Sequence, residues 1–291
     1  MVNIDRMHVR EAFKSYVSDY DLSDVKVKLK VDHTYRVASM CDAITEDLGL
    51  SAADRDLAWL SGMLHDIGRF EQLRQYHTFQ DRLSCNHAML SADILFHNGK
   101  IRLFVRDAEE DELALLEKTI RLHNVYRLPE ELSAREYRFA TILRDADKID
   151  ILRVNCETPR SEIYDLPEEA FRTASITDQV YDDVMHARNV DRTYSRTAID
   201  FMIGHMAFVF GLVYTESFRQ VRAQGYLDEM MHFQSDNADT REKLKHIRQA
   251  IEQFIERRLL NDRQEYDTPI GKVCMSREEH EAYLEKQERY S

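Results

Sequence analysis

Apolar residues recur along this chain mostly at three- and four-residue intervals and seldom alternate, which is the period of amphipathic helix. Residues 25–48 predict a first long helix. His33, Arg36, Val37, Met40 and Ile44 follow helical spacing there, and Gly49 suits its C-terminal cap. Ser51 suits the N-cap of a second helix, which runs through Trp59, Leu60 and Leu64 to His65-Asp66 and is closed by Gly68. Residues 69–85, polar and aromatic, read as a loop. A third helix over 86–96 puts His87, Leu90, Ser91 and Ile94 on one face. A fourth over 109–123 aligns Leu113, Leu116, Ile120 and His123, with acids in its first turn that suit the helix dipole. A fifth over 133–154 carries Arg144, Asp145, Asp147, Lys148 and Asp150.

Pro159 and Pro167 bracket a polar stretch at 157–168, so a boundary is expected there. It separates a five-helix core, residues 1–156, from a helical C-terminal extension, residues 157–291, expected to pack on that core. Within the extension, helices are expected over 197–220 and 241–260. Residues 266–275, with Pro269 and Gly271, are the place that suits a short hairpin. The expected fold class is all-α.

Composition narrows the function. With 8 Gly and 4 Pro in 291 residues, few turns are encoded and long helices are favoured. A formal net charge of −13 argues against a broad basic surface for DNA or RNA. An anionic substrate must then be attracted locally, as bound cations would do. Cys41, Cys85, Cys156 and Cys274 are scattered without a metal or disulfide spacing, which suits free thiols in a reducing cytoplasm. The first twenty or so residues mix charged with apolar positions, unlike a signal peptide, and the greasy stretch 201–214 is too short to span a bilayer. A cytoplasmic protein is expected, with no membrane partner and no nucleic-acid polymer.

The chemistry lies in a series of histidines and acids on the apolar faces of these helices: His33, His65-Asp66, His87, His123 and an aspartate of the fifth helix. Imidazoles with carboxylates form the ligand set of divalent transition metals, and a carboxylate shared by two ions makes a binuclear hydrolytic site. Helical spacing does not by itself choose among Asp145, Asp147 and Asp150. No glycine-rich phosphate loop accompanies Gly68. His77, in the loop before His87, is a lesser candidate for substrate contact, and His97, His186, His205, His232 and His246 lack a paired ligand and read as structural.

His33, then His65-Asp66 within LHDIGR, then Asp147 within DADKID resemble the H…HD…D signature of the HD-domain superfamily of metal-dependent phosphohydrolases. The resemblance spans roughly residues 25–155. It implies that His33, His65, Asp66 and Asp147 hold one metal. It further implies that His87 and His123 hold a second, with Asp66 bridging, as in binuclear members of HDIGRF type. The cofactors implied are two divalent or transition metal ions among Fe, Mn, Co, Ni, Zn and Mg, with a metal-bridging hydroxide as attacking group. Asp66, Arg69 and Lys148 are the expected catalytic residues: Arg69 stands where many relatives carry a lysine aimed at phosphate, and Lys148 adjoins Asp147. Arg36 and Arg144 are lesser candidates.

The GYP element of the cyclic-di-GMP phosphodiesterases is missing after His123. Asn124 stands where enzymes that split diadenosine tetraphosphate carry a threonine. The expected reaction is therefore hydrolysis of a phosphomonoester or phosphoanhydride in a small phosphorylated, nucleotide-like molecule, by a chain that admits a homodimer. The rival expectations are a nucleotide-sensing module without turnover and an HD oxygenase with a di-iron site.

Overall fold

The computed structural model describes residues 4–106, 108–261, 264–268 and 271–275, with side chains through Leu260. The fold is all-α, with one antiparallel pair of short strands near the end of the described chain. The residues divide into two compact units, Met1–Val154 and Asn155–Ser291.

In the first unit, α1 (Arg6–Val17) is capped by the Asp5 carboxylate, which accepts from the amides of Met7 and His8. The sequence reading assigned no helix here, yet Val9, Phe13, Tyr16 and Val17 are buried at helical spacing. Arg6 ties α1 down: its guanidinium donates two hydrogen bonds to Asp42, a third to Asp56, and lies over the Trp59 ring. Next come α2 (Val25–Asp47), α3 (Ala52–Leu64) and α4 (Ile67–Tyr76). They are followed by the short α5 (His87–Ala92), which passes into a π-type turn at Asp93–His97, and by α6 (Glu110–Leu122) and the long α7 (Ala134–Glu157). Helix α2 packs on α3, α4 on α5, and α6 on both α3 and α5.

Helix α4 is a correction to the sequence reading, which put a loop after a helix closed by Gly68. The chain turns earlier, at Asp66 (φ −105°, ψ 15°), and helix resumes at Ile67. Ile67, Phe70 and Leu73 bury a stripe at three-residue spacing, and that burial carries the helix past Gly68 to His77, a left-handed C-cap at φ 57°. Gly68 is there for proximity. A Cβ on it would meet the backbone nitrogen of Ser91 at 2.6 Å and the carbonyl of His87 at 2.9 Å. Gly62 does the same for α3, where a Cβ would lie 2.6 Å from the Ala38 Cα of α2. Two of the chain's 8 glycines therefore sit where candidate ligand-bearing helices cross most closely.

The second unit holds α8 (Arg160–Tyr164), α9 (Glu168–Thr173), α10 (Asp178–Met185), α11 (Ala198–Met206), α12 (Thr215–Gln224), α13 (Tyr226–Met231) and α14 (Ala238–Asn261). The single helix expected over 197–220 is broken. After α11 the chain makes a 3-10 turn over Ala207–Gly211, extends at Leu212 and restarts at Thr215. Helix α11 begins in a capping box, in which the buried Asp200 carboxylate accepts from the amides of Thr177, Arg196 and Thr197 and from the Thr177 hydroxyl. Strands β1 (Gln264–Thr268) and β2 (Gly271–Met275) pair antiparallel with Thr268 opposite Gly271, within the segment expected to suit a hairpin. Pro269 and the Cys274 side chain lie outside the described residues. No helix among the described residues is long and apolar enough to cross a membrane.

Candidate metal centre

The first unit gathers five of the sequence-predicted residues around a sixth, the Asp66 carboxylate. Each is delivered by a different local device. His33 projects from the buried face of α2; His65 is the C-cap of α3, one position before the chain turns; His87 opens α5, and His123 caps α6. Asp147 comes from the middle of α7. All four imidazoles and Asp66 are buried.

Two groups of ligand atoms form, one on each oxygen of Asp66. Around Oδ2, His33 Nε2 lies at 3.6 Å and His65 Nε2 at 3.5 Å, the two nitrogens 3.3 Å from each other. Asp147 Oδ1 completes that group, 3.2 Å from His33 Nε2 and 3.8 Å from His65 Nε2. Around Oδ1, His87 Nε2 lies at 3.6 Å and His123 Nε2 at 3.8 Å, with 3.0 Å between the two nitrogens. Ligands bound at about 2.1 Å, with angles between octahedral and tetrahedral, would stand about 3.0–3.4 Å apart. The His33, His65 and Asp66 set and the Asp66, His87 and His123 set therefore come within a few tenths of an ångström of what a shared cation requires, with Asp147 beside the first set.

The hydrogen bonds behind the rings orient them. His65 Nδ1 lies 2.8 Å from the Gly62 carbonyl and His123 Nδ1 2.7 Å from the Ile120 carbonyl. A carbonyl can only accept, so in each neutral ring the proton is on Nδ1 and Nε2 presents its lone pair. His87 Nδ1 faces Asp81 Oδ2 at 2.7 Å, and His33 Nδ1 faces Asp150 Oδ2 at 2.6 Å, each again donating outward. Burial first, only partly offset by Asp66, pushes His65 down to about 4. Burial and the neighbouring Arg69 push His87 down to about 3, and burial also lowers His123. These three rings are neutral near pH 7. His33 moves the other way, because Asp147 and Asp150 outweigh burial and the charge of Lys30. Burial opposes ionisation of Asp66, but Lys30, His65, His87 and Arg69 together hold it well below the usual carboxylate range.

These features fit a metal. With their protons on Nδ1, His87 and His123 face each other through Nε2 across 3.0 Å with no hydrogen between them, Arg69 Nη2 standing 3.3 Å from His87 Nε2, and a shared cation would relieve that approach. Asp66 Oδ1, beside them, is buried and has no hydrogen-bond partner. The donors are imidazole nitrogen and carboxylate oxygen, which suit first-row divalent ions.

Asp150 does not join the ligand group. It stands behind His33, held by Arg36 through Nε at 2.6 Å and Nη2 at 3.1 Å. Arg36 thus acts on His33 only through Asp150. Arg144 donates to the carbonyls of Leu122, His123, Val125 and Tyr126, clamping the chain where it leaves α6. Lys148 follows Asp147 on α7, and burial, then Arg144, pushes its ammonium down to about 8. Arg69 is anchored at one end and turned to the centre at the other. Its Nη1 donates to Gln72, the Phe79 carbonyl and Asp81, while Nη2 lies 3.3 Å from His87 Nε2 and Nε lies 3.7 Å from Asp66 Oδ1.

The sequence reading missed three residues here. Lys30 donates to Asp66 Oδ2 at 2.7 Å, with Phe79 beneath its ammonium; its position one turn before His33 was the available signal. Asp81 and the fully buried Gln72 had none, since both lay in the stretch read as loop.

The family model described as HD domain matches residues 31–152. No curated protein and no solved structure matches the chain.

Proposed function

We propose, from the match of residues 31–152 to the model of the HD domain, a superfamily of mostly hydrolases, that this chain hydrolyses a phosphomonoester or phosphoanhydride bond of a small nucleotide-like molecule. The observation that carries the reading is the division of labour at Asp66, one oxygen for the His33, His65 and Asp147 group and the other for His87 and His123. Ions held there would polarise a phosphoryl oxygen and bring the pKa of bound water towards neutrality.

The protein's own cations add to this. The Nε and Nη2 edge of Arg69, a fork that matches two phosphate oxygens, faces the centre while Nη1 keeps the side chain in place. Lys30 brings an ammonium to the opposite oxygen of Asp66, so a phosphoryl group entering here meets positive charge from both sides. Lys148 contributes a further, partly desolvated ammonium on α7. In a chain of net charge −13, this local concentration of cations favours a small phosphorylated substrate over a polymer. The nucleotide character rests on the family resemblance, whereas the cytoplasmic location rests on the scattered cysteines and the charged N-terminal residues; a homodimer is compatible with the reading.

The test is a panel of phosphomonoesters, nucleotides and phosphoanhydrides offered to Mn2+-loaded protein, with Asp66→Ala beside it. The variant should lose both ions and all turnover. No turnover on any member, together with a melting temperature raised by nucleotides, would replace hydrolysis with a sensing role.

A further inference from the structure

Asp81 lies between α4 and α5, six residues before His87, and its carboxylate joins every element that builds the second ligand group. Oδ2 accepts from His87 Nδ1 at 2.7 Å and from the Asn124 amide, just beyond α6, at 3.3 Å. Oδ1 accepts from Arg69 Nη1 at 2.9 Å and from Gln72 Nε2 at 3.0 Å, both on α4. Gln72 in turn donates to Ser84 Oγ and the Cys85 carbonyl, locking the chain that carries Asp81 against α4. Asp81 thus has α4, α5 and the residue after α6 as partners, and among the described residues none of these hydrogen bonds reaches α2, α3 or α7.

The first ligand group has its own counterpart. Asp150 orients His33 and is gripped by Arg36, as Asp81 orients His87 and is gripped by Arg69. Each half of the centre therefore contains an arginine, a carboxylate and an imidazole in series. A carboxylate behind a ligating imidazole fixes its ring and tautomer and raises its basicity, an effect worth 10–100-fold in metal affinity.

We propose that Asp81 is the positioning residue that makes this centre binuclear: it sets the affinity of the ion held by Asp66, His87 and His123, independently of the ion held with His33, His65 and Asp147. The inference rests on the proposed two-ion hydrolase but is read out on metal binding alone. Asp81 touches no ligand atom of the first group, so its loss should act on one ion only. Arg69 is drawn into the same device, since its Nη1 end holds Asp81 while its Nε–Nη2 edge faces the centre.

The experiment titrates metal-free protein with Mn2+, read by calorimetry, by elemental analysis after gel filtration and by the electron paramagnetic resonance signature of a spin-coupled Mn2+ pair. The wild type should take up two ions and show the coupled signal. Asp81→Ala should keep one ion at wild-type affinity, bind the second at least about tenfold more weakly and lose the coupled signal at one equivalent above saturation of the first. Asp81→Asn should fall between, because its amide oxygen still accepts from His87 Nδ1 while the charge is gone. It also serves if the alanine variant does not fold, with native circular dichroism as the criterion. Equal weakening of both ions in a natively folded variant overturns the proposal. So do two ions bound at wild-type affinity, or a wild type that saturates with one. A wild type that binds two ions, shows the selective Asp81 effect and hydrolyses nothing on the panel would refute the proposed reaction and leave this inference standing.

Discussion

Gly68→Ala tests whether close approach of α4 and α5, rather than turn formation, is why glycine stands at that position. An alanine Cβ would lie 2.6 Å from the Ser91 backbone nitrogen and 2.9 Å from both the His87 carbonyl and Ser91 Oγ. Ordinary non-bonded contacts begin near 3.5 Å, so α5 must retreat by roughly 0.8–0.9 Å. The first two atoms are backbone and cannot rotate away. Such overpacking costs about 1–3 kcal/mol, and the better helix propensity of alanine returns about 1 kcal/mol. Because the contacts are with backbone the upper end of that cost applies, and a net loss approaching about 2 kcal/mol should lower the melting temperature by about 4–8 °C for a unit of this size. The displacement also carries His87, the first residue of α5, away from Asp66, and metal sites tolerate only about 0.2 Å. Differential scanning calorimetry of metal-free protein and a Mn2+ titration would read the two effects separately, with the second ion weakened and the first unchanged. Gly204→Ala is the control. It is also helical, but its Cβ would meet only Val190 Cβ at 4.0 Å, so that variant should be as stable as the wild type or slightly more so. A Gly68→Ala protein that melts no lower than wild type and binds both ions normally would refute the reasoning.

Two further outcomes are expected. Arg69→Ala, assayed at saturating Mn2+ so that weaker second-ion binding is compensated, should lose about tenfold or more in kcat/KM, about 1.4 kcal/mol of transition-state stabilisation; wild-type kcat/KM would remove Arg69 from phosphate recognition. Metal-free protein should melt at progressively lower temperature as the pH falls from 7 towards 4. His65 and His87, held down to about 4 and about 3, cannot take up the protons that they bind near 6.5 once unfolded, so the unfolded state gains protons first. His33 shifts oppositely and offsets part of this loss; a melting temperature that is flat or rising on acidification would show that the buried rings are not held neutral.

Much of this architecture was legible in the chain because helix is a local matter. The apolar stripes around His33, His87 and His123, the scarcity of glycine and proline, and the order H…HD…D are properties of neighbouring residues and needed no knowledge of what lies across the core. The same local logic failed at Gly68, where a glycine that signals a helix end was instead a point of contact with α5, 23 residues away in the hydrogen bond from Gly68 N to Ser91 Oγ. It failed again over 197–220, where greasy continuity concealed a turn and an extended segment.

What only tertiary structure decided was which polar atoms meet. Asp147 and Asp150 lie three residues apart on α7, and nothing in their spacing says that one turns its oxygen to His33 Nε2 while the other stands behind Nδ1 of the same ring. Lys30, Gln72 and Asp81 carry no motif, and their roles exist only because α2, α4 and the chain before α5 converge on Asp66 and His87. Periodicity specifies the face of a helix on which a side chain lies. The partner on the far side of that face depends on how closely two helices approach, and at Gly62 and Gly68 that approach leaves no room for a Cβ.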